Sequence, residues 1–275
     1  MAGRVLVLAY HNLVPDEDPA GGDRSLHLPL SSFVWQLEHL RRTVDVVPLT
    51  EALTPSHSAR PRAVITFDDA YRGATLLGSA ALADAGLPAT YFVAPELLGG
   101  TPWWDRFAPE DGEWSAELRE RLLRERAGRD REVAAWATEA GIATGSLGDW
   151  HRIANEEELA RAASRPGMTV GSHSWGHPNL CALAPDELRD ELARPAEWLD
   201  ARFPTTVPWL AYPYGLVTPE VARAVAAQGF AGALRVDGGW WPRALDEPFD
   251  LPRWNVPAGI SRAGFRLRLA GWLCR

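Results

Sequence analysis

Short apolar runs alternate with amphipathic stretches along most of the chain. Apolar or β-branched runs predict strands over 4–10, 45–49, 62–67, 89–93, 168–171, 207–212, 230–236 and 251–256. Apolar residues at helical spacing predict helices over 30–42, 73–85, 185–203, 218–228 and 261–273. This strand–helix alternation favours a parallel α/β fold, open or closed into a barrel, forming one domain over residues 1–275.

The alternation lapses between about 95 and 165. This stretch is rich in Gly, Pro and Trp, and it contains three charged amphipathic segments that predict helices at about 115–127, 130–140 and 155–164. We interpret it as a helical insertion on one rim of the fold and not as a separate domain.

Two adjacent acids, Asp68 and Asp69, follow the predicted strand 62–67. Neighbouring side chains of an extended chain point in different directions, so one carboxylate can bind a metal while the other accepts a proton. A helix N-cap is the alternative interpretation of this pair.

Two histidines, His173 and His177, follow the apolar run 168–170, and Gly176 and Pro178 favour a turn between and after them. The carboxyl ends of parallel barrel strands meet at one rim, where functional loops collect. Two histidines and one carboxylate would complete the three protein ligands of a catalytic metal site. Ordinary surface or core histidines remain the alternative.

The composition excludes some functions. A net charge of -8 argues against general nucleic-acid binding. Cys181 and Cys274 imply no disulfide framework. No segment approaches the roughly 20 apolar residues of a membrane span, and the first residues do not resemble a secretory signal, so the sequence predicts a cytoplasmic location.

Three motifs resemble those of the polysaccharide deacetylases, the family-4 carbohydrate esterases. They are TFDD at 66–69, SHSWGHP at 172–178 and AYPYG at 211–215, and the resemblance extends over roughly 5–260 apart from the insertion. It implies a distorted (β/α)7 TIM-like barrel and metal-dependent removal of an N-acetyl group from an amino sugar, a sugar-containing metabolite or a glycan precursor.

The resemblance also implies a role for each matching residue. Asp69, His173 and His177 would bind a divalent metal, with Zn²⁺ preferred and Co²⁺, Mn²⁺ or Ni²⁺ as alternatives. Asp68 would be the general base. The backbone N–H of Tyr214 would stabilise the oxyanion of the tetrahedral intermediate.

The chain departs from the family pattern at two places. The third motif has Ala211 where many members have an arginine that orients the base, and we hypothesise that Arg253 takes this role; a surface arginine paired with an acid is the alternative. The usual C-terminal acid histidine is absent from 251–256. His11, in LAYHN at 8–12, resembles the general acid of a permuted branch that includes poly-N-acetylglucosamine deacetylases; a histidine bonded locally at a strand end is the alternative.

The expected partner is an N-acetylated sugar, with no nucleic acid and no membrane span. The tail 264–275 mixes apolar residues with arginines, so it could contact a membrane surface peripherally or form a packed terminal helix. Hydrolysis of another C–N amide bond (a deformylase or cyclic amidase) and a non-catalytic glycan-binding barrel are the alternative functions.

Overall fold

Strands and helices alternate in a computed structural model that describes residues 4–18, 21–56, 58–109, 111–145, 147–241 and 248–272. The strands are β1 Val5–Tyr10, β2 Asn12–Val14, β3 His27–Pro29, β4 Asp45–Val46, β5 Arg62–Phe67, β6 Ala89–Val93, β7 Met168–Ser172, β8 Thr206–Ala211, β9 Gly232–Arg235, β10 Leu251–Pro252 and β11 Trp254–Asn255. The helices are α1 Leu30–Thr43, α2 Ser79–Ala85, α3 Trp103–Arg106, α4 Ala116–Glu125, α5 Asp130–Glu139, α6 Glu156–Ala163, α7 Pro185–Arg202, α8 Pro219–Ala227 and α9 Arg262–Leu269.

The main sheet is parallel and curls into a nearly closed ring. Its strand order is β10-β9-β8-β7-β6-β5-β1-β11, and β4 pairs with the first half of β5. Arg253 alone separates β10 from β11, yet β10 pairs with β9 and β11 pairs with β1. A single short segment therefore joins the two edges and supplies the seventh position around the ring. This confirms the predicted distorted seven-stranded α/β barrel.

The strands are buried on both faces, as parallel strands covered by helices must be. Every residue of β1, β5 and β6 is buried. Helix α1 covers one side of the barrel with Phe33, Leu37 and Leu40. All of the barrel strands run in the same direction, so the residues that follow β1, β5, β7 and β8 lie at one rim.

The insertion is helical as predicted, with α4, α5 and α6 inside the three predicted segments. The sequence pattern did not predict the short helix α3 or the small parallel pair of β2 and β3. The segment 45–49 forms only the two-residue strand β4, and the predicted helix 73–85 begins with a π-helical turn, Ala74–Gly78. Short elements such as these carry too few residues for a periodicity to show.

The end of the chain is helical up to Leu269, and Phe265 packs in the core while Trp272 is exposed. The predicted helix 261–273 is therefore too long at its end, since 270–272 form a turn; Leu273 and Cys274 lie outside the described residues. In the described stretches, every helix is too short or too polar to cross a lipid bilayer.

Gly73 provides a test of how closely β2 packs against the start of the π-helical turn. A Cβ at this position would lie 1.7 Å from the carbonyl oxygen of Leu13. We expect Gly73→Ala to lower the free energy of unfolding by about 1–3 kcal/mol, because backbone must shift to admit the methyl group.

Gly259→Ala is the matched control for urea unfolding, since a Cβ there meets nothing within 4 Å. It should change the free energy by no more than about 0.5 kcal/mol. Equal stability of the two variants would show that β2 does not constrain position 73.

Candidate metal centre

The residues at the rim are carried by strained turns. Asp69 lies two residues after the end of β5 and has a φ of 64°, while Ser174 and His177, which follow β7, have φ values of 63° and 58°. Residues other than glycine in this left-handed region cost about 1–3 kcal/mol each and persist only where their surroundings hold them. Such strain is concentrated at functional sites, and here it includes two of the three candidate ligands, Asp69 and His177.

Three side-chain atoms converge on one point. The Nε2 atoms of His173 and His177 are 3.2 Å apart, and Asp69 Oδ1 lies 3.6 Å and 3.3 Å from them, respectively. A tetrahedral ion with bonds of about 2.0–2.1 Å requires ligand atoms about 3.3 Å apart. The three atoms therefore have the spacing that zinc or a similar ion needs.

The protonation states also suit a metal. The carbonyl oxygen of Ala211 accepts a hydrogen bond from Nδ1 of His173 at 2.7 Å, which leaves the lone pair of Nε2 facing the cluster. Burial lowers the pKa of both histidines, so each imidazole is in the neutral form that binds metal.

Asp69 is a buried carboxylate in surroundings that disfavour its negative charge. Burial raises its pKa well above the usual range, and the negative charges of Asp68 and Asp105 raise it further. Its Oδ1 atom is buried without a hydrogen-bond partner among the described residues. A divalent ion would satisfy this oxygen and keep the group ionised, so the three residues fit a metal in chemistry as well as in spacing.

Asp68 has a different environment, because Arg253 holds it. The two outer nitrogens of the guanidinium donate to the two carboxylate oxygens at 2.6 Å each, and Nη1 also donates to Thr66 Oγ1. Burial alone would raise the pKa of Asp68, but Arg253 outweighs it and the net pKa lies below its usual range. The structure thus places Arg253 on Asp68, which is the contact that the sequence analysis hypothesised.

A carboxylate of α7 fixes the turn that carries both histidines. The backbone N–H groups of Trp175 and Gly176 both donate to Glu191 Oε2 at 2.9 Å. Inside the same turn, the N–H of His177 donates to Ser174 Oγ at 3.0 Å. These three bonds hold the strained turn from two sides. The sequence analysis missed Glu191, because in the sequence it resembles any partly exposed acid on a helix.

A cavity of about 270 Å³ unites the predicted residues. Its lining includes Asp68, the three candidate ligands, His11 and Tyr214, that is, all of the predicted site residues except Arg253, which lies fully buried behind Asp68. Tyr214 has a φ of 58°, and its ring lies 4.6 Å from that of His177. Burial lowers the pKa of His11 to about 4, although the charge of Asp68 acts in the opposite direction.

A second buried polar network supports the wall beside His11. Asp105 accepts hydrogen bonds from His27 Nε2 at 2.9 Å and from the Tyr71 hydroxyl. His27 Nδ1 accepts from the amide of Asn12, the residue that follows His11. His27 and Asp105 are 78 positions apart, so no local sequence pattern predicted their contact.

Comparisons with known proteins agree with the α/β barrel described above. The profile of the polysaccharide deacetylase family matches residues 56–233. The chain therefore belongs to the polysaccharide deacetylase family, as the three motifs indicated.

A curated relative and two solved structures illustrate the similarity. A chitooligosaccharide deacetylase from Bradyrhizobium sp. (strain ANU 289) is 31% identical over 93 residues, which are 33% of this chain and 42% of that protein. The matched region is thus less than half of that relative's length.

The structure of the Streptococcus pyogenes deacetylase PplD in complex with acetate is similar, with a TM-score of 0.66 at 16% identity over 96% of this chain and 97% of that one. IcaB from Ammonifex degensii gives a TM-score of 0.66 at 19% identity over 98% of this chain and 97% of that one. At these identities the two structures support the fold alone.

The contacts of Glu191 generate a prediction about metal affinity. We expect Glu191→Ala to weaken Zn²⁺ binding about 10- to 100-fold, because the turn loses two charge-assisted hydrogen bonds that orient the ligands. Glu191→Gln keeps an accepting oxygen without the charge, so its Zn²⁺ affinity should lie between those of the wild type and Glu191→Ala. Competition with a chromophoric chelator would measure the affinities.

Glu197→Ala is the matched control, since Glu197 is an exposed acid on the same helix. Circular dichroism of the metal-free proteins would check that each variant is folded. Unchanged affinity in Glu191→Ala would show that the turn holds its shape without this carboxylate.

Proposed function

We propose that this protein is a metal-dependent hydrolase that removes an N-acetyl group from an amino sugar or from a sugar-containing metabolite or glycan precursor. The observation that carries the proposal is the pairing of two carboxylates in one cavity. Asp68 is kept ionised by Arg253, and Asp69 lies beside two neutral histidines. The name of the Bradyrhizobium relative, a chitooligosaccharide deacetylase, supports an N-acetylated sugar as the substrate class.

Asp69, His173 and His177 would hold the ion, which when bound supplies Lewis-acid polarisation of the amide carbonyl and lowers the pKa of water. Zn²⁺ is the first candidate for this mixture of one oxygen and two nitrogen ligands, with Co²⁺, Mn²⁺ and Ni²⁺ as alternatives. The remaining steps belong to residues of the chain itself.

Asp68 acts as the general base. Its carboxylate lines the cavity, and the hydrogen bonds from Arg253 fix its orientation while leaving it ionised. It removes a proton from the attacking water as the new C–O bond forms. Tyr214 lies on a turn in the cavity wall, and its backbone N–H would stabilise the oxygen of the former carbonyl as that oxygen becomes negative.

His11 delivers a proton to the leaving amine as the C–N bond breaks and acetate forms. Because burial lowers the pKa of His11 to about 4, its imidazole is neutral in the free protein near pH 7. The proton that it delivers must therefore come from the reaction itself. Asp68 takes this proton from the attacking water and passes it to His11, which returns Asp68 to its ionised form.

Asp68→Asn tests the proposal as a whole. With Zn²⁺ bound, we expect the wild-type protein to release acetate from a chitooligosaccharide and the variant to be about 10²–10⁴-fold slower, because the base is lost while the three ligands remain. Acetate release and zinc content would be measured on the same samples. Chelation should abolish turnover, and Zn²⁺ should restore it.

Asp84→Asn, an exposed position on α2, is the control and should behave as the wild type. Bound sugar without acetate release in the wild type would favour a glycan-binding protein. Release of formate but not acetate from matched N-acyl sugars would favour a deformylase.

The role of His11 has a separate test that depends on the leaving group. We expect His11→Gln to slow hydrolysis of an N-acetyl sugar about 10²–10⁴-fold, but to leave hydrolysis of 4-nitrophenyl acetate nearly unchanged, since nitrophenolate departs without a proton. Asp68→Asn should slow both reactions, because both need an activated water.

His39→Gln, on α1, is the control for the histidine substitution. If His11→Gln slows the ester and the amide equally, His11 positions the substrate or the metal site and is not the proton donor.

A further inference from the structure

The insertion presents one face of helix α4 to the catalytic cavity. Arg119 and Leu123, which are one helical turn apart, both line the cavity together with the candidate ligands. Arg121, on the same helix, is exposed and lies over the ring of Trp136 instead. Arg119 therefore brings a positive charge to the cavity, whereas Arg121 does not.

Arg119 is held at one edge of its guanidinium. Nη1 lies 3.1 Å from Asp23 Oδ2, and the Asp23 side chain is nearly fully buried. The other oxygen of Asp23 accepts bonds from the backbone N–H and the hydroxyl of Ser25, so the carboxylate itself is fixed. This arrangement anchors Arg119 against the wall and limits its side-chain freedom.

The other edge of the Arg119 guanidinium carries N–H donors that can bind a further group. Nε and Nη2 of Arg119 have no hydrogen-bond partner among the described residues, and the side chain is 34% exposed. These two nitrogens form the planar fork that binds a carboxylate or a phosphate through two parallel hydrogen bonds. Arg253, by contrast, is fully buried and its fork is taken by Asp68.

Arg119 also lies near the candidate metal centre, because both line the same cavity of about 270 Å³. A group bound at the free fork would therefore belong to the same molecule as the amide that is hydrolysed. The cavity lining also contains an exposed acid, Asp237. We therefore expect a preference for anionic groups only next to Arg119, and not throughout the cavity.

We propose that Arg119 forms a subsite for an anionic oxygen group, a phosphate or a carboxylate, on the substrate of the proposed deacetylation. The inference rests on the proposed function, and it gives the insertion a role in substrate selection. The alternative is that the Arg119–Asp23 pair only fastens α4 to the segment 23–25.

Binding to the zinc-loaded Asp68→Asn protein tests the subsite without turnover. Three probes would be compared by calorimetry: methyl N-acetylglucosaminide, N-acetylglucosamine 1-phosphate and N-acetylmuramic acid. We expect at least one of the two anionic probes to bind about 10-fold more tightly than the neutral probe, as one charge-assisted bidentate contact allows. The two anionic probes separate a phosphate source from a carboxylate source.

Arg119→Gln should remove that advantage and change the affinity of the neutral probe less than about twofold, and the matched control Arg121→Gln should preserve it. An absent preference for anions, or a preference that survives in Arg119→Gln, would overturn the subsite; in the second case the anion binds elsewhere, such as at the zinc. Equal loss of all three probes would assign Arg119 a structural role. Acetate release by the wild-type protein is measured separately, so the subsite can fail while the proposed function stands.

Discussion

The ion pair of Arg253 and Asp68 underlies both the barrel and its candidate chemistry. Arg253 is fully buried between β10 and β11, where one segment closes the ring, and its guanidinium is taken up by Asp68 and by Thr66. Removing one partner of a buried pair leaves an unpaired charge that costs about 3–5 kcal/mol. The closing segment is therefore held to β5 by the same contact that orients the base.

The same contact explains how two neighbouring acids acquire different properties. Asp68 faces a cation, so it remains ionised in spite of its burial, whereas Asp69 faces the negative charges of Asp68 and Asp105 and favours its protonated form. Environments that separate the pKa values of a carboxylate pair in this way assign the two groups different tasks. A divalent cation would relieve the unfavourable charge of Asp69 and would then be part of the electrostatic balance of the rim.

Strand periodicity predicted a parallel α/β fold, open or closed, and the resemblance to the polysaccharide deacetylases implied the seven-stranded barrel. The grouping of the rim residues followed, because parallel strands end at one rim. The sequence was a weaker guide to contacts between residues that are far apart in the chain, because no periodic pattern marks such contacts. The bond from Arg253 to Asp68 spans 185 positions and was inferred only from a missing motif arginine. Glu191 lies on a helix like many solvated acids, and His27 gave no local sign of its bond to Asp105. Such contacts depend on how loops pack on the rim, which hydrophobic patterning does not encode.

The insertion forms part of the cavity wall, and it also holds the rim segments in place. Three consecutive residues of α3 each contact a different rim segment: Trp103 Nε1 donates to the Tyr214 hydroxyl, the Trp104 ring lies 4.8 Å from that of His177, and Asp105 binds His27. The turns that carry Tyr214 and His177 are strained, so they keep their shape only under contacts of this kind. Because one short helix restrains all three segments, the geometry of the candidate metal centre and the wall beside His11 depend on the insertion as much as on the barrel.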